Sequence, residues 1–240
     1  MANPTAAMLV IGDEILSGRT RDANMNHLAI RLTEAGIDLK EARVVSDDPD
    51  AIETAVRSLS QTYDHVFTSG GIGPTHDDIT ADCVAAAFDA PVDIRADARA
   101  ILESYYAKTG IELNSARLRM ARIPDGADLI ENPVSGAPGF SIANVHVMAG
   151  VPKIFQAMVE TVLPTLTGGA PVLSRTYRVH RGEGDIAGPL GVLAENNPEL
   201  SFGSYPFQID GKFGSNIVVR GTDPEHLDRA IAALEAEFPQ

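Results

Sequence analysis

The apolar positions of this chain fall into short unbroken runs that alternate with stripes of helical spacing. Thr5 to Ile11 is such a run, and Asn24 to Ala35 carries Met25, Leu28, Ala29 and Leu32 at helical spacing before Gly36, which predicts a strand followed by an amphipathic helix. The pattern repeats: Asp38 to Val45 as a strand, Asp50 to Leu59 as a helix, His65 to Thr68 as a buried strand and Thr80 to Phe88 as a helix. Three successive strand–helix units predict a parallel, helix-covered sheet. Ala96 to Lys108 and Ser115 to Ala121 read as helices, and Asp128 to Glu131 and Phe140 to Ile142 as short strands. Val145 to Met148 reads as a fourth core strand, followed by a helix from Lys153 to Leu166.

Gly and Pro cluster in LTGGAPV, residues 166 to 172, and interrupt the periodicity, so a boundary is expected between a larger domain, 1–167, and a smaller one, 172–240. The smaller segment reads as βαββα. A strand covers Arg175 to His180 and a helix Asp185 to Ala194. Strands at Leu200 to Ile209 and Ser215 to Arg220 flank an Asp210-Gly211 turn, and a helix covers Pro224 to Phe238.

Charge narrows the class of ligand. The 240 residues hold 19 Lys and Arg against 33 Asp and Glu, a formal charge of −14, which argues against nucleic acid as the partner. No apolar run approaches the roughly 18 residues of a spanning helix, and Met1 to Gly12 lacks a basic leader, so a cytoplasmic protein without a membrane partner is expected. The single cysteine, Cys83, allows neither an intrachain disulfide nor a cysteine-based zinc site and is expected as a small buried residue.

Three loops leave predicted parallel strands and so should open on one edge of the sheet, where ligands of such folds sit. They are Gly12-Asp13-Glu14, the stretch Ser69-Gly70-Gly71-Ile72-Gly73-Pro74-Thr75-His76-Asp77-Asp78-Ile79-Thr80, and Ala149-Gly150-Val151-Pro152-Lys153. The glycines of the middle loop, running into a helix start, suit a phosphate. Asp77 and Asp78 would repel one unless a hard divalent cation bridges carboxylate and phosphate oxygens. Magnesium is the default, with cobalt or manganese as substitutes, and Asp13 or Glu14 would give further ligands. The competing reading is that Asp77 or Asp78 caps the helix, worth about 1 kcal/mol. His76 is placed to act as base, to orient a ligand, or only to bond its own loop. Lys153 is well placed for a phosphate, and the bend Asn132 to Phe140, with Gly136, Pro138 and Gly139, for another wall. Arg117, Arg119 and Arg122 form a basic cluster that reads either as a solvated helix face or as a phosphate contact. No Walker A sequence and no Gly-x-Ser-x-Gly elbow occurs, and the Gly182-to-Ala187 match to a dinucleotide fingerprint carries acids where pyrophosphate would lie.

GDEILSG at 12, TSGGIGPTHDDIT at 68, NPVSGAPGF at 132 and AGVP at 149 together resemble the molybdopterin-binding, MogA/MoaB-like domain. The form is that found at the N-terminus of CinA proteins and in the N-terminal half of eukaryotic FAD synthases. The resemblance covers roughly residues 5 to 166, and GEGD at 182 with GSYP at 203 extends it into a segment similar to the KH-like middle domain of CinA proteins. It implies a doubly wound, three-layer α/β/α sandwich with a mostly parallel sheet and a pterin or nucleotide diphosphate as ligand, with Gly70, Gly71 and Gly73 around phosphate, Asp78 and Thr80 as an Asp-x-Thr motif, and Asp13 with Glu14 as an acidic pair. It further implies metal-dependent pyrophosphate hydrolysis of ADP-ribose or FAD, or else molybdopterin binding or adenylylation in molybdenum cofactor biosynthesis, and a homodimer. The expected site comprises Asp78, Asp77 and His76 as catalytic groups and Asp13, Glu14 and Asp78 as metal ligands. Gly12, Ser69, Gly70, Gly71, Gly73, Pro74, Thr75, Thr80, Gly136, Pro138, Gly139, Gly150, Pro152 and Lys153 would line it. Two positions depart from the family pattern: Ala149 replaces a proline, and His76 stands where many CinA proteins have lysine. The chain lacks the C-terminal amidohydrolase domain of full-length CinA proteins, so nicotinamide nucleotide deamidation is not expected.

Overall fold

A computed structural model describes residues 3–209 and 211–239, so Asp210 of the expected Asp-Gly turn lies outside the described residues. The chain divides into two compact units, the first ending at Gly169 and the second beginning at Ala170.

The first unit runs β1 (Thr5–Ile11), α1 (Asp13–Leu16), α2 (Asn24–Glu34), β2 (Asp38–Val45), α3 (Pro49–Thr62), β3 (His65–Ser69), α4 (Thr80–Ala87), β4 (Val92–Ile94) and α5 (Ala96–Thr109). It continues through α6 (Ser115–Leu118), a 3₁₀ turn (Arg119–Ala121), β5 (Arg122–Pro124), β6 (Asp128–Ile130), β7 (Gly139–Ile142), β8 (Val145–Met148) and α7 (Pro152–Val162). Its main sheet has the order β2-β1-β3-β8-β7-β6. The first four strands are parallel and β7 pairs antiparallel with both β8 and β6, so the ends of β1, β3 and β8 lie side by side on one edge.

Strand β1 shows why this sheet is central. Ala7, Leu9 and Ile11 point into one core with Ile52, Val56 and Leu59 of α3 and Val84 of α4. Ala6, Met8 and Val10 point into the other with Leu28 and Leu32 of α2 and Phe155, Met158 and Val159 of α7. A strand buried on both faces has no polar alternation to show, which is why it reads as a continuous run. Asp48 starts α3, its carboxylate accepting from Ala51 N at 2.9 Å ahead of Pro49 at the first helical position.

The structure departs from the sequence expectations in short elements. Asp13 to Leu16 forms one helical turn, Val92–Ile94 pairs antiparallel with Arg122–Pro124, and the helix expected through Ala121 gives way to a 3₁₀ turn at Arg119.

The second unit runs β9 (Leu173–Val179), α8 (Glu183–Glu195), β10 (Ser201–Ile209), β11 (Lys212–Gly221) and α9 (Pro224–Glu237). Its antiparallel sheet has the order β10-β11-β9. Val179, Ile217 and Val219 of the sheet pack with Ile186 of α8 and with Leu227, Ala230 and Leu234 of α9. Among the described residues no helix is long and apolar enough to cross a membrane.

Candidate functional site

The backbone at the ends of β1, β3 and β8 is drawn tightly together by glycine. Gly70 has φ 112° and its N–H bonds Met148 O at 3.2 Å, and a Cβ there would lie 2.2 Å from the Ile11 carbonyl oxygen. Gly71 has φ 68°, and a Cβ there would lie 2.1 Å from Thr80 Oγ1. No side chain fits at either place, so glycine is required on both conformational and steric grounds. Thr80 fixes the loop to α4: its N–H bonds Gly71 O at 3.0 Å, and its buried hydroxyl donates to Gly70 O at 3.0 Å.

Asp78 does not cap α4. The N-cap is Ile79, without a side-chain bond, and the Asp78 carboxylate instead accepts from Thr75 N at 2.7 Å and Thr75 Oγ1 at 2.6 Å, closing a turn over Gly73. Asp77 and His76 stand at the tip of that turn. The His76 ring is fully open to solvent, with Nδ1 3.9 Å from the Asp77 carboxylate.

These loops enclose a cavity of about 600 Å³. Its walls include Gly12, Glu14, Gly70, Gly71, Gly73, Pro74, Asp77, Asp78, Gly150 and Pro152, ten of the residues expected from sequence. Ile11, Ile72, Met120, Val151 and Ile154 supply an apolar side and Thr20, Asn132 and Ser135 neutral polar groups. Four carboxylates, of Glu14, Asp47, Asp77 and Asp78, line it, and no lysine, arginine or histidine does.

The other expected residues are placed around it. Asp13 is exposed at the start of α1 and meets Asp47 only through its backbone N–H, at 2.9 Å from Oδ2. Thr75 and Thr80 shape the loop from outside the lining, Lys153 is exposed, and His76 points to solvent. Ser69 is buried as a hydrogen-bond acceptor, Gly136 packs on the Tyr105 ring, and Gly139 is buried against Val147 O. Pro138 lines a small adjoining cavity with Arg119 and Arg122.

Two contributors escaped the sequence reading. Asp47 follows β2 and reaches across to Gly12-Asp13. Asn24, at the start of α2 and only 3% exposed, donates to Ser69 Oγ at 2.7 Å and to Gly150 O at 2.8 Å, tying the middle loop to the third. Asn132 does the same within its own bend: Oδ1 accepts from Val134 N and Ser135 N at 3.1 Å, and Nδ2 donates to Ser135 Oγ and Ala137 O.

Among the described residues, no three His, Cys, Asp or Glu side chains are grouped closely enough to hold a metal ion unaided. The acidic lining therefore fits a hard cation only where a ligand's oxygens and waters complete the coordination, the usual condition for magnesium.

Residues 7–168 match a family model described as a probable molybdopterin binding domain, and residues 171–240 match one described as the FAD synthase middle domain. A CinA-like protein of Myxococcus xanthus is 32% identical over 97% of this chain and 58% of its own. A probable FAD synthase of Caenorhabditis elegans is 31% identical over 96% of this chain and 49% of its own. This chain thus spans about half the length of these two relatives. The crystal structure of the protein CinA of Thermoplasma acidophilum, a protein of unknown function, superposes with a TM-score of 0.62 at 35% identity, over 68% of this chain and 97% of that one.

Proposed function

Since the chain belongs to the probable molybdopterin binding domain family, in its CinA-like form joined to an FAD synthase middle domain, we propose that it binds a nucleotide diphosphate and hydrolyses its pyrophosphate bond. ADP-ribose and FAD are the substrate class. The observation that carries this reading is the 600 Å³ cavity in which glycine backbone and four carboxylates face the same space.

The Gly71–Gly73 backbone binds phosphate through its N–H groups, and the apolar side at Ile72, Val151 and Ile154 takes the uncharged part of the ligand. Asp78 and Glu14 are the residues that would hold a divalent cation. When bound it neutralises the diphosphate and makes the phosphorus more electrophilic. Asp77, which lines the cavity while His76 does not, accepts the proton of the attacking water. The water oxygen bonds to one phosphorus, the bridging P–O bond breaks, and AMP leaves together with ribose 5-phosphate or FMN. Thr75 holds Asp78 in place through its two hydrogen bonds. The assembly that accompanies this reading is a homodimer, which light scattering on the purified protein tests.

A second reading, molybdopterin binding or adenylylation, draws on the description of the family itself. Chromatographic assay of ADP-ribose, FAD and ATP, with and without magnesium, cobalt or manganese and beside Asp78→Ala, separates the two. Metal-dependent AMP release that a chelator stops and Asp78→Ala lacks supports hydrolysis. No cleavage of any of the three, by a folded protein that binds the pterin, refutes it in favour of the second reading.

A further inference from the structure

The main cavity has an unresolved charge problem: its lining carries four carboxylates and no cationic side chain, yet the proposed ligand is an anion. A cation of the protein stands just behind the glycine loop. A smaller cavity, of about 20 Å³, lies between that loop and the 3₁₀ turn and shares Gly71, Ile72, Gly73, Asp78 and Met120 with the larger one. Arg119 and Arg122 both line it. The Nε atoms of both are buried and have no hydrogen-bond partner among the described residues.

Both guanidinium side chains border this one cavity, and each also carries a buried Nε–H without a partner among the described residues, so both are short of acceptors, which is costly for a desolvated N–H and more so on a charged group. The carboxylates nearby do not supply it. Asp82 pairs with Arg122 Nη2, and of the Asp78 carboxylate Oδ2 accepts from Thr75 while neither oxygen pairs with Arg119. Among the described residues Arg119 forms no ion pair within 4.0 Å, and its Nη2 donates to the backbone oxygen of Asp78 at 3.3 Å. It therefore retains a full positive charge beside Gly71 and Gly73. The space admits one oxygen-sized group, since about 10–15 Å³ holds a single water.

We propose that this cavity is an anion subsite which receives one phosphoryl oxygen of a diphosphate lying on the glycine loop, with Arg119 as the residue that binds it and supplies its charge. The subsite rests on the reading of the main cavity as a diphosphate site and adds to it a protein-borne cation beside Gly71 and Gly73. Arg122, neutralised by Asp82, fixes the wall. Arg119 thus provides the permanent positive charge that His76 does not.

The test is calorimetric titration of the full chain with inorganic pyrophosphate, for the wild type, Arg119→Gln and Arg119→Lys, at several salt concentrations. Arg119→Gln keeps a donor for the Asp78 carbonyl and removes the charge. A residue that only braces the loop would therefore leave the salt dependence unchanged. The expected result is that Arg119→Gln weakens pyrophosphate about 10- to 100-fold and flattens the salt dependence, with unchanged melting, while Arg119→Lys recovers part of the loss. Equal affinity and equal salt dependence in wild type and Arg119→Gln would overturn the proposal, as would a wild type that does not bind pyrophosphate at all. Binding of pyrophosphate that depends on Arg119, in a protein that cleaves neither ADP-ribose nor FAD, would keep the subsite and remove hydrolysis. Should Arg119→Gln not fold, Arg119→Lys alone decides, by whether its affinity falls while its melting holds.

Discussion

His146 gives the sheet beneath the site a pH limit. It sits on β8, 5% exposed, with its ring centroid 5.0 Å from that of Phe67 and 5.7 Å from that of His65. Nδ1 lies 2.9 Å from Ser141 Oγ, and Nε2 is buried without a partner among the described residues. Burial, with the charge of His65 as a smaller contribution, pushes its pKa from 6.5 to about 4. Between those values the unfolded chain holds a proton that the folded chain does not. The contribution is therefore complete above pH 6.5 and is lost as pH falls toward 4. The full shift corresponds to ~3 kcal/mol, of which ~2 kcal/mol is gone by pH 5. The perturbation is His146→Phe, which keeps an aromatic ring against Phe67 and cannot be protonated. Denaturant unfolding of both proteins from pH 7.5 to 5 should show the wild type losing stability relative to the variant by about this amount. The loss of the Ser141 partner adds only a constant offset of ~1 kcal/mol. A difference that stays flat across this range, or a His146 ring resonance that titrates near 6.5, would refute the reasoning.

The same geometry sets four other expectations. Gly70→Ala would drive a Cβ to 2.2 Å from the Ile11 carbonyl at φ 112°, so we expect a loss of about 2 kcal/mol or more, read as a melting temperature lower by roughly 4–8 °C. Asn24→Ala removes the bonds to Ser69 and Gly150 and should cost about 1–3 kcal/mol by denaturant titration, with a larger fall in kcat than rise in KM for the proposed hydrolysis. Magnesium alone should raise the melting temperature of the wild type more than that of Asp78→Asn, by relieving repulsion among the four cavity carboxylates; equal shifts would count against a metal held there. Cys83, 4% exposed and with its thiol pushed up to about 11 by burial, helped by Asp82, should react with a thiol reagent only at the rate of unfolding.

How much of this was legible in the sequence follows from element length and burial. Strands β1, β3 and β8 announce themselves because both of their faces are covered, so that nothing polar interrupts them. The turn α1 and the β4–β5 pair were invisible because three or four residues contain no period to detect. Site residues divide in the same way. Gly70, Gly71, Asp77 and Asp78 belong to one contiguous loop of unusual composition and could be found. Asp47 sits in Ser46-Asp47-Asp48-Pro49, where helix capping explains an aspartate well enough, and Asp48 is indeed the cap. Asn24 begins a helix, a place where asparagine is ordinary, and only the fold shows that it is buried with both amide hydrogens committed to other loops. Arg119 and Arg122 were visible as a basic cluster, but their partners at Asp78 and Asp82 lie about 40 residues away.

The division of labour in the site explains why these signals differ. Its frame is neutral: Gly70, Gly71, Thr80, Asn24 and Ser69 hold three loops together by hydrogen bonds and close backbone approach, and each is buried or sterically committed. Its lining is charged and loosely restrained, with Glu14, Asp47 and Asp77 exposed or half-buried. Like charges gathered in one cavity destabilise a fold unless a ligand balances them, so their concentration here is better explained by binding than by folding. The neutral frame tolerates that repulsion because its strength does not depend on charge. Substitutions in the frame should therefore change stability and activity together, and substitutions in the lining should change activity while leaving stability equal or higher.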